Sequence, residues 1–470
     1  MKTNQYILTV IVLLFSLNNF AQCYTKISAG EFHVVAQRAN GTTWTWGSNG
    51  NGEQGMGNQG IFWTGNQTQI GTDSNWLWAG AGAYATFVIK SNGTLWGSGR
   101  NSFGQIGINS SSQLIYTLTQ VGTATNWKQI SASTSFVVGL KTDGTIWAWG
   151  QNDTNQMGNN TCCANRLIPG QVGTANDWKT IGVSGSSSAF AIKNNGTLWA
   201  WGGNFAQMLG DNTVSSLAVP TQFDPSVDWN TLSAGYDHVL ILKNNGTLWA
   251  WGGDVQGQTA NNNVLGPGYV IRQIGTSTWK AIAAGLRFSI GIKTDGTLWG
   301  WGQNNIGQLG LGDTANRYLP VQIGTANNWS AISAGQEFVA ALKTDGSLWA
   351  WGDNFYGQLG NGTEITVPLP TPAQIVVSGC ALDTPSFELE KAVVISPNPA
   401  QSDLEIRINA NLDFDSIVIF DLTGKQVYQT EAIPNSKLMV LNVANLSAGI
   451  YNVVFKNDGV KVLSKKLIKQ

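Results

Sequence analysis

Two histidines, four cysteines and a thin scatter of carboxylates are all that this 470-residue chain offers for nucleophilic, acid–base or metal chemistry. His33 and His238 stand in one setting, "AGEFHVV" and "AGYDHVL", where phenylalanine recurs at 136, 288 and 338. A slot shared with phenylalanine is a packing slot, so neither histidine reads as a base or a ligand. The sequence contains no His/Cys/Asp cluster with metal-ligand spacing. It also shows no nucleophile motif, phosphate loop or dinucleotide fingerprint. No cofactor and no metal are expected. Asp143, Asp295 and Asp345 belong to Asp-Gly turns, and Asp177 and Asp228 precede a recurring Trp. Glu53 replaces a usual Gln, and Asp254 a usual Asn. The carboxylates that remain, such as Asp211, Asp313 and Glu364, are dispersed, whereas glycoside hydrolysis needs two that converge.

Words such as "slot" and "usual" apply because the chain repeats itself. "KNNGTLWAWGG" occupies residues 193–203 and returns at 243–253. Seven related copies carry their turn glycines at 41, 93, 144, 196, 246, 296 and 346, at spacings of 52, 51, 52, 50, 50 and 50. A fixed period near fifty marks a repeat architecture. Each unit holds four short strand-like pieces: a Trp-led run ("WKQISA"), an apolar run ("FVVGLK"), a Trp-x-Trp run after an Asn-Gly or Asp-Gly turn, and a Gln-apolar run ("PVQIG"). Such pairs supply the positive φ that tight hairpins demand. Alternation places Trp199 and Trp201 on one side of their strand. Four strands repeated seven times predict an all-β fold, a seven-bladed β-propeller. A parallel β-helix competes, but its repeats are much shorter. The Gln-apolar strand occurs at Gln69, Gln120, Gln171, Gln222, Gln273, Gln322 and Gln374, and none precedes the first unit. The copy at 372–376 is therefore expected to complete blade one and close the ring.

Of 21 tryptophans, thirteen lie in the Trp-x-Trp strand and six open the first strand, which signals packing between blades. Charged residues are only 11% and net charge is −1. Between residues 3 and 390 there are 16 Lys/Arg and 20 Asp/Glu. With no basic patch or tail, nucleic acid is excluded as a partner. The first 22 residues read as a signal peptide: Lys2, then an apolar stretch at 7–16 too short to span a bilayer. No other segment is apolar for eighteen residues, so no transmembrane segment is expected in the mature chain. Residues 23–380 form the propeller, 381–390 a linker and 391–470 a small β-sandwich with alternating apolar residues and Gly, Asn and Pro turns.

"ISAGQEFVAALKTDGSLWAWGDNFYGQLGNG" at 332–362 resembles the repeat of the regulator of chromosome condensation family. It joins an Ala-Gly turn, an Asp-Gly turn, Trp-Gly-x-Asn and Gly-Gln-Leu-Gly in order. The likeness covers about 23–380 and implies a seven-bladed propeller. It does not imply the founding activity, nucleotide exchange on a nuclear GTPase, which an export signal argues against. Residues 391–470 resemble the C-terminal sorting domain of the type IX secretion system of Bacteroidetes. The matching pieces are Pro397-Asn398-Pro399, Asp421-x-x-Gly424, Leu446-Ser447-x-Gly449-x-Tyr451 and basic Lys465, Lys466 and Lys469. This implies engagement of that export machinery, then removal of the domain with release or surface attachment.

Function is expected on the variable loops at about 58–67, 109–118, 159–168, 211–219, 261–270 and 311–320, because rigid scaffolds present binding residues on loops. They carry Phe62, Trp63, Tyr116, Arg166, Tyr269, Arg317 and Tyr318, aromatic and Arg types enriched in binding hot spots. The expected function is a secreted or surface-displayed propeller that binds an extracellular protein or glycan through one face. The alternative is a polysaccharide-active enzyme using loop carboxylates. Cys23 precedes Tyr24 as Asn328 precedes Trp329, and aligning "PAQIVVSGC" with "PVQIGTANN" puts Cys380 in the slot of Asn328. A Cys23–Cys380 disulfide is therefore expected, worth ~5 kcal/mol in the chain-entropy account, with real bridges often giving less. Cys162 and Cys163 remain as a vicinal pair, bridged or free. A rival reading lipidates Cys23 after signal cleavage.

Overall fold

The computed structural model describes residues 24–376 and 393–470, apart from 58–59, 186, 211–214, 263–269, 363–366, 409–413, 422–424, 432–436 and 458–459. The chain divides into two compact units, Met1–Cys380 and Ala381–Gln470. The described residues hold no α-helix, only a single 3-10 turn, Phe205–Gln207.

Blade one shows the plan. Strands β1 (Tyr24–Ala29), β2 (His33–Arg38), β3 (Thr43–Ser48) and β4 (Trp63–Gln69) pair in sequence order as an antiparallel sheet. Six further units repeat it. In one place a single long strand, Arg272–Ala284, is both the outer strand of blade five and the first strand of blade six. First strands line the central channel, a cavity of about 320 Å³ walled by small residues such as Ser28, Gly80, Ser131 and Ser333.

The repeated string explains itself residue by residue. In blade four Gly196 takes φ +80, and a Cβ there would lie 2.2 Å from the Val227 carbonyl oxygen, so only glycine fits. Asn195 accepts the Thr197 hydroxyl at 2.7 Å, and Thr197 in turn accepts the Trp199 indole N–H at 2.9 Å. The same relay recurs in all seven units. A cation caps each first tryptophan: Lys193 sits 4.7 Å from the Trp199 ring centroid, and Arg38 sits 3.5 Å from that of Trp44. The second tryptophan, present in every unit but the second, is fully buried and ties blade to blade. Trp201 donates to the Gln156 carbonyl of the preceding blade at 3.0 Å and packs with Met157, Val172 and Trp178.

The outer strand Leu369–Gln374 does not complete blade one. It pairs with Leu348–Gly352 of its own unit, with Trp349 opposite Gln374, as Trp44 stands opposite Gln69 in blade one. The expected exchange of an outer strand between the chain's ends does not occur: blades one and seven are each complete from their own unit. The fourth strand follows the third of its own unit directly in sequence, so that pairing closes the smaller loop. The ring closes laterally instead. Ala29 N–H donates to Ser333 Oγ (2.8 Å), Trp46 Nε1 to the Gln358 carbonyl (2.9 Å) and Gln336 N–H to the Glu31 carbonyl (3.1 Å).

The C-terminal unit is two sheets around one core. Val393–Ser396, Asp403–Ile408 and Leu438–Asn442 form one sheet. Gln426–Glu431, Ser416–Asp421, Gly449–Asn457 and Val460–Lys469 form the other. Leu404, Ile406, Ile417, Val453 and Leu467 are buried between them. Asn398 donates to the Lys466 carbonyl at 2.7 Å and accepts the Ile468 N–H at 2.8 Å, pinning the unit's entrance to its last strand. The Tyr451 hydroxyl donates to the Ser447 carbonyl at 2.8 Å, so both motifs do structural work here.

Candidate functional site

Antiparallel alternation gives each propeller face its own inventory. First and third strands run toward one face, which carries the Ala-Gly loops and the variable loops; this is the loop face. Second and fourth strands run to the other, which carries the Asn-Gly and Asp-Gly turns; this is the turn face. The sixteen Lys/Arg between residues 24 and 376 divide by type. By strand position, ten lysines and Arg38 belong to the turn face, and the other five (Arg100, Arg166, Arg272, Arg287 and Arg317) to the loop face. On the turn face the strand-end lysines are committed to tryptophan rings.

Near the channel mouth the loop face gathers aromatic rings that the scaffold does not consume. Phe32 lies 5.1 Å from Tyr356 and 6.0 Å from Tyr84, and Phe355 lies 4.9 Å from Tyr356. Arg100 reaches over Tyr84 and Phe103, with ring-centroid distances of 5.8 and 5.9 Å. Phe355 is 58% exposed, which makes it an accessible end of the arc. Burial pushes the Glu31 carboxyl up, although the Tyr84 hydroxyl and Arg100 pull it partly back. Burial likewise raises the Tyr84 phenol, and Glu31 adds to that. Glu337, in the neighbouring blade, is raised by burial and by Asp353. Across the mouth, burial acts to raise Asp237, but His238, Gln258 and Arg287 outweigh it and hold the carboxyl low. Arg287 Nε stands 3.3 Å from Asp237 Oδ2.

The residues expected from the variable loops lie elsewhere. Trp63, Arg166 and Arg317 each open an outer strand at the rim, and Tyr116 and Tyr318 lie just inside such strands. Tyr116 and Tyr318 lie against Gly52 and Gly257, turn glycines of the preceding blade, so their backbones serve blade packing. Arg317 is paired with Asp313 at 2.5 Å. Phe62 is 70% exposed and stands apart from the arc's ring contacts. Tyr269 lies outside the described residues. The structure therefore distributes these side chains around the circumference rather than bringing them together. The arc was legible only as variation after each Ala-Gly pair: Glu-Phe, Ala-Tyr, Tyr-Asp, Leu-Arg and Gln-Glu in an otherwise uniform frame.

Both histidines are fully buried, and each meets a hydroxyl of the next blade: His33 Nε2 with Thr86 Oγ1 at 3.0 Å, His238 Nε2 with Ser289 Oγ at 2.9 Å. Burial lowers His33 to about 4, Glu53 opposing. Cys162 and Cys163 are bridged to each other, with Cα atoms 3.8 Å apart. Cys23 and Cys380 lie outside the described residues. Among the described residues no group of three or more His, Cys, Asp or Glu could hold a metal ion. No helix among them is long and apolar enough to cross a membrane.

The regulator of chromosome condensation (RCC1) repeat matches residues 143–191, 295–342 and 345–381. A second pattern of the same description matches 24–53, 80–105, 127–156, 230–258, 279–308 and 329–358. The chain belongs to this repeat family. A secretion system C-terminal sorting domain matches residues 394–470 and marks the protein for the cell surface or extracellular space. Among curated relatives, the ultraviolet-B receptor UVR8 of Arabidopsis thaliana is 24% identical over 220 residues, 46% of this chain and 50% of that protein. Protein pim1 of Schizosaccharomyces pombe is 25% identical over 225 residues, 42% of this chain and 40% of that protein. The chain thus spans half or less of the length of these two relatives. Human WBSCR16 superposes with a TM-score of 0.64 at 18% identity, covering 72% of this chain and 94% of that one. Yeast RCC1 (Prp20), solved with Kap60, gives 0.65 at 17% identity, covering 80% and 88%. At these identities the two structures establish the RCC1-like propeller fold alone.

Proposed function

We propose that the exported propeller is a binding module that recognises an extracellular protein or glycan through its loop face. The observation that carries this reading is the contrast between the faces. On the turn face, ring after ring is occupied by a lysine and a threonine or serine relay. On the loop face, Phe32, Tyr84, Phe355 and Tyr356 form an arc with partly exposed rings beside Arg100 and Glu31. Exposed aromatics on a rigid rim are low-entropy contacts for a partner. The solved relatives are named for complexes, one with Kap60 and another for binding to Gsp1p and histones, which supports protein recognition as a use of this fold.

The test is binding of the mature protein to arrays of purified extracellular proteins and of glycans, with the double variant Phe355→Ala/Tyr356→Ala beside it. Specific binding that falls at least tenfold in the variant is expected. Binding to neither array, or binding indifferent to the arc, would overturn the proposal. Release of reducing ends that disappears in Glu31→Gln and Glu337→Gln would replace it with a polysaccharide-active enzyme.

A further inference from the structure

Blade four breaks the pattern of the loop face. The second residue after each Ala-Gly glycine is Phe32, Tyr84, Asp237, Arg287 and Glu337 in blades one, two, five, six and seven. Blade three has Ser133 in place of that glycine and Ser135 two residues on, blade four has Ser187 two residues after Gly185, and the blade-four loop reads Val-Ser-Gly-Ser-Ser-Ser. The small side chains leave a hollow of about 400 Å³, lined by Thr154, Ser187, Gly203, Asn204, Phe205, Ser215 and Tyr236. That volume falls within the ~300–1,000 Å³ range of small-molecule sites.

Three features make this more than a gap. Its described lining is hydroxyl, amide, glycine and aromatic, with no charged side chain, although charged residues stand at the equivalent positions of the next three blades. One wall is an aromatic pair: Phe205 and Tyr236 meet edge to face at 6.2 Å, and Phe205 stays 55% exposed. In the same lining, the Thr154 hydroxyl is shielded from water and has no hydrogen-bond partner among the described residues. Rotation of the Thr154 side chain into the hollow would bring that unsatisfied hydroxyl to a ligand.

The backbone here is also strained. The turn position filled by a left-handed glycine in other blades, as at Gly104, Gly257, Gly307 and Gly357, is Asn155 in blade three (φ 65) and Gln207 in blade four (φ 61). Ala206, beside it, has φ 52. Left-handed alanine and glutamine cost free energy that surrounding structure must repay, and such residues gather at ligand sites. Here they flank the two segments that supply Thr154 and Phe205.

We infer that this hollow between blades three, four and five binds a neutral sugar residue of an extracellular glycan. A pyranose offers an apolar face to Tyr236 and Phe205 and hydroxyls to Thr154, Ser187 and Asn204. An anionic sugar has no cation to meet in the described lining. The inference rests on the loop-face reading and names one ligand class for part of it.

The test is affinity electrophoresis and calorimetry of the mature protein with neutral probes (cello-, laminari-, manno- and xylo-pentaose and the parent polysaccharides) and with oligogalacturonate as the anionic comparison. At least one neutral probe should bind. Its affinity should fall tenfold or more in Tyr236→Ala and in Ser187→Arg, which fills the hollow. It should fall about fivefold in Thr154→Val, which keeps the shape and removes the hydroxyl. Lys128→Met on the turn face should bind as the parent does, and circular dichroism checks that each variant is folded. Binding of none of the neutral probes, preference for oligogalacturonate, or binding that survives Ser187→Arg overturns the inference. Protein capture lost on Phe355→Ala/Tyr356→Ala without any sugar binding would leave the loop-face reading standing and remove the sugar pocket. Loss of both would remove both.

Discussion

Blade one has two neighbours and meets them by different means. Toward blade seven, where no peptide connects them, it buries Trp46, whose indole donates to the Gln358 carbonyl, and Ala29 N–H finds Ser333 Oγ. Toward blade two the equivalent tryptophan is missing. Ser98 stands in its place, buried, its hydroxyl without a partner among the described residues, while Leu118 lies beside it near Gly55. The core cluster across that junction contains Val35, Trp76, Ala79 and Val88 as buried residues, against thirteen in the cluster spanning blades three and four. The other six junctions keep the indole-to-carbonyl bond. The difference is physical. Blades one and two are tethered through residues 70–75, which hold them at high effective concentration. The closing junction has no peptide tether among the described residues and depends on lateral hydrogen bonds and side-chain packing.

That contrast can be broken experimentally, beginning at the closing side. Trp46→Ala should cost about 3–5 kcal/mol, the usual range for truncating a buried tryptophan. Denaturant unfolding would read it, and small-angle scattering would show whether the ring opens. A cost under about 1 kcal/mol would mean that the closing junction is no more dependent on its tryptophan than the tethered one. Next comes the Cys23–Cys380 disulfide, which would supply the missing tether covalently. Non-reducing peptide mapping should recover the linked peptides, and Cys23→Ser should lower stability by about 2–4 kcal/mol. A free or acylated Cys23 removes that account of closure.

His33 sharpens the comparison from the tethered side, since it spans blades one and two. Its folded pKa, about 4, lies below the ordinary 6.5. Between those values the unfolded chain binds a proton that the folded chain refuses. Stability therefore rises with pH across that window and is lost as pH falls through it, by at most about 1.4 kcal/mol per unit. His33→Phe, the residue of the same slot in blades three, six and seven, should flatten the curve between pH 4 and 6.5. An unchanged slope would show that His33 does not titrate this way. The smallest effect belongs to Ser98→Ala, expected within about 1 kcal/mol of the parent and on the stabilising side, because it removes a hydroxyl left unsatisfied.

The repeat made the strands, their order and their turns readable, because each signal is local: Asn195, Gly196 and Thr197 define the turn within three residues. Closure was misjudged because counting seven Gln strands cannot say which neighbour each one joins. Only the register, Trp349 opposite Gln374, decides it. The convergence of the arc was not legible for a geometric reason. Phe62, Arg166 and Arg317 and the arc of Phe32, Tyr84 and Tyr356 occupy one face, but distance from the axis separates them. The end of a first strand is near the channel and the start of a fourth is at the rim. Loop length marks the rim. What converges at the mouth shows only as changed letters inside an unchanging frame.

The division of cations between the faces has a practical side. Within 24–376 every primary amine of a lysine side chain belongs to the turn face by strand position, and the loop face carries guanidinium groups instead. Amine-directed chemistry, whether a succinimidyl dye, a biotin ester or an activated bead, would therefore attach to the propeller by one side only. On a propeller produced without the sorting domain and its lysines, a coupled surface would present the rings of Phe205, Tyr236 and Phe355 outward, oriented without any engineered tag.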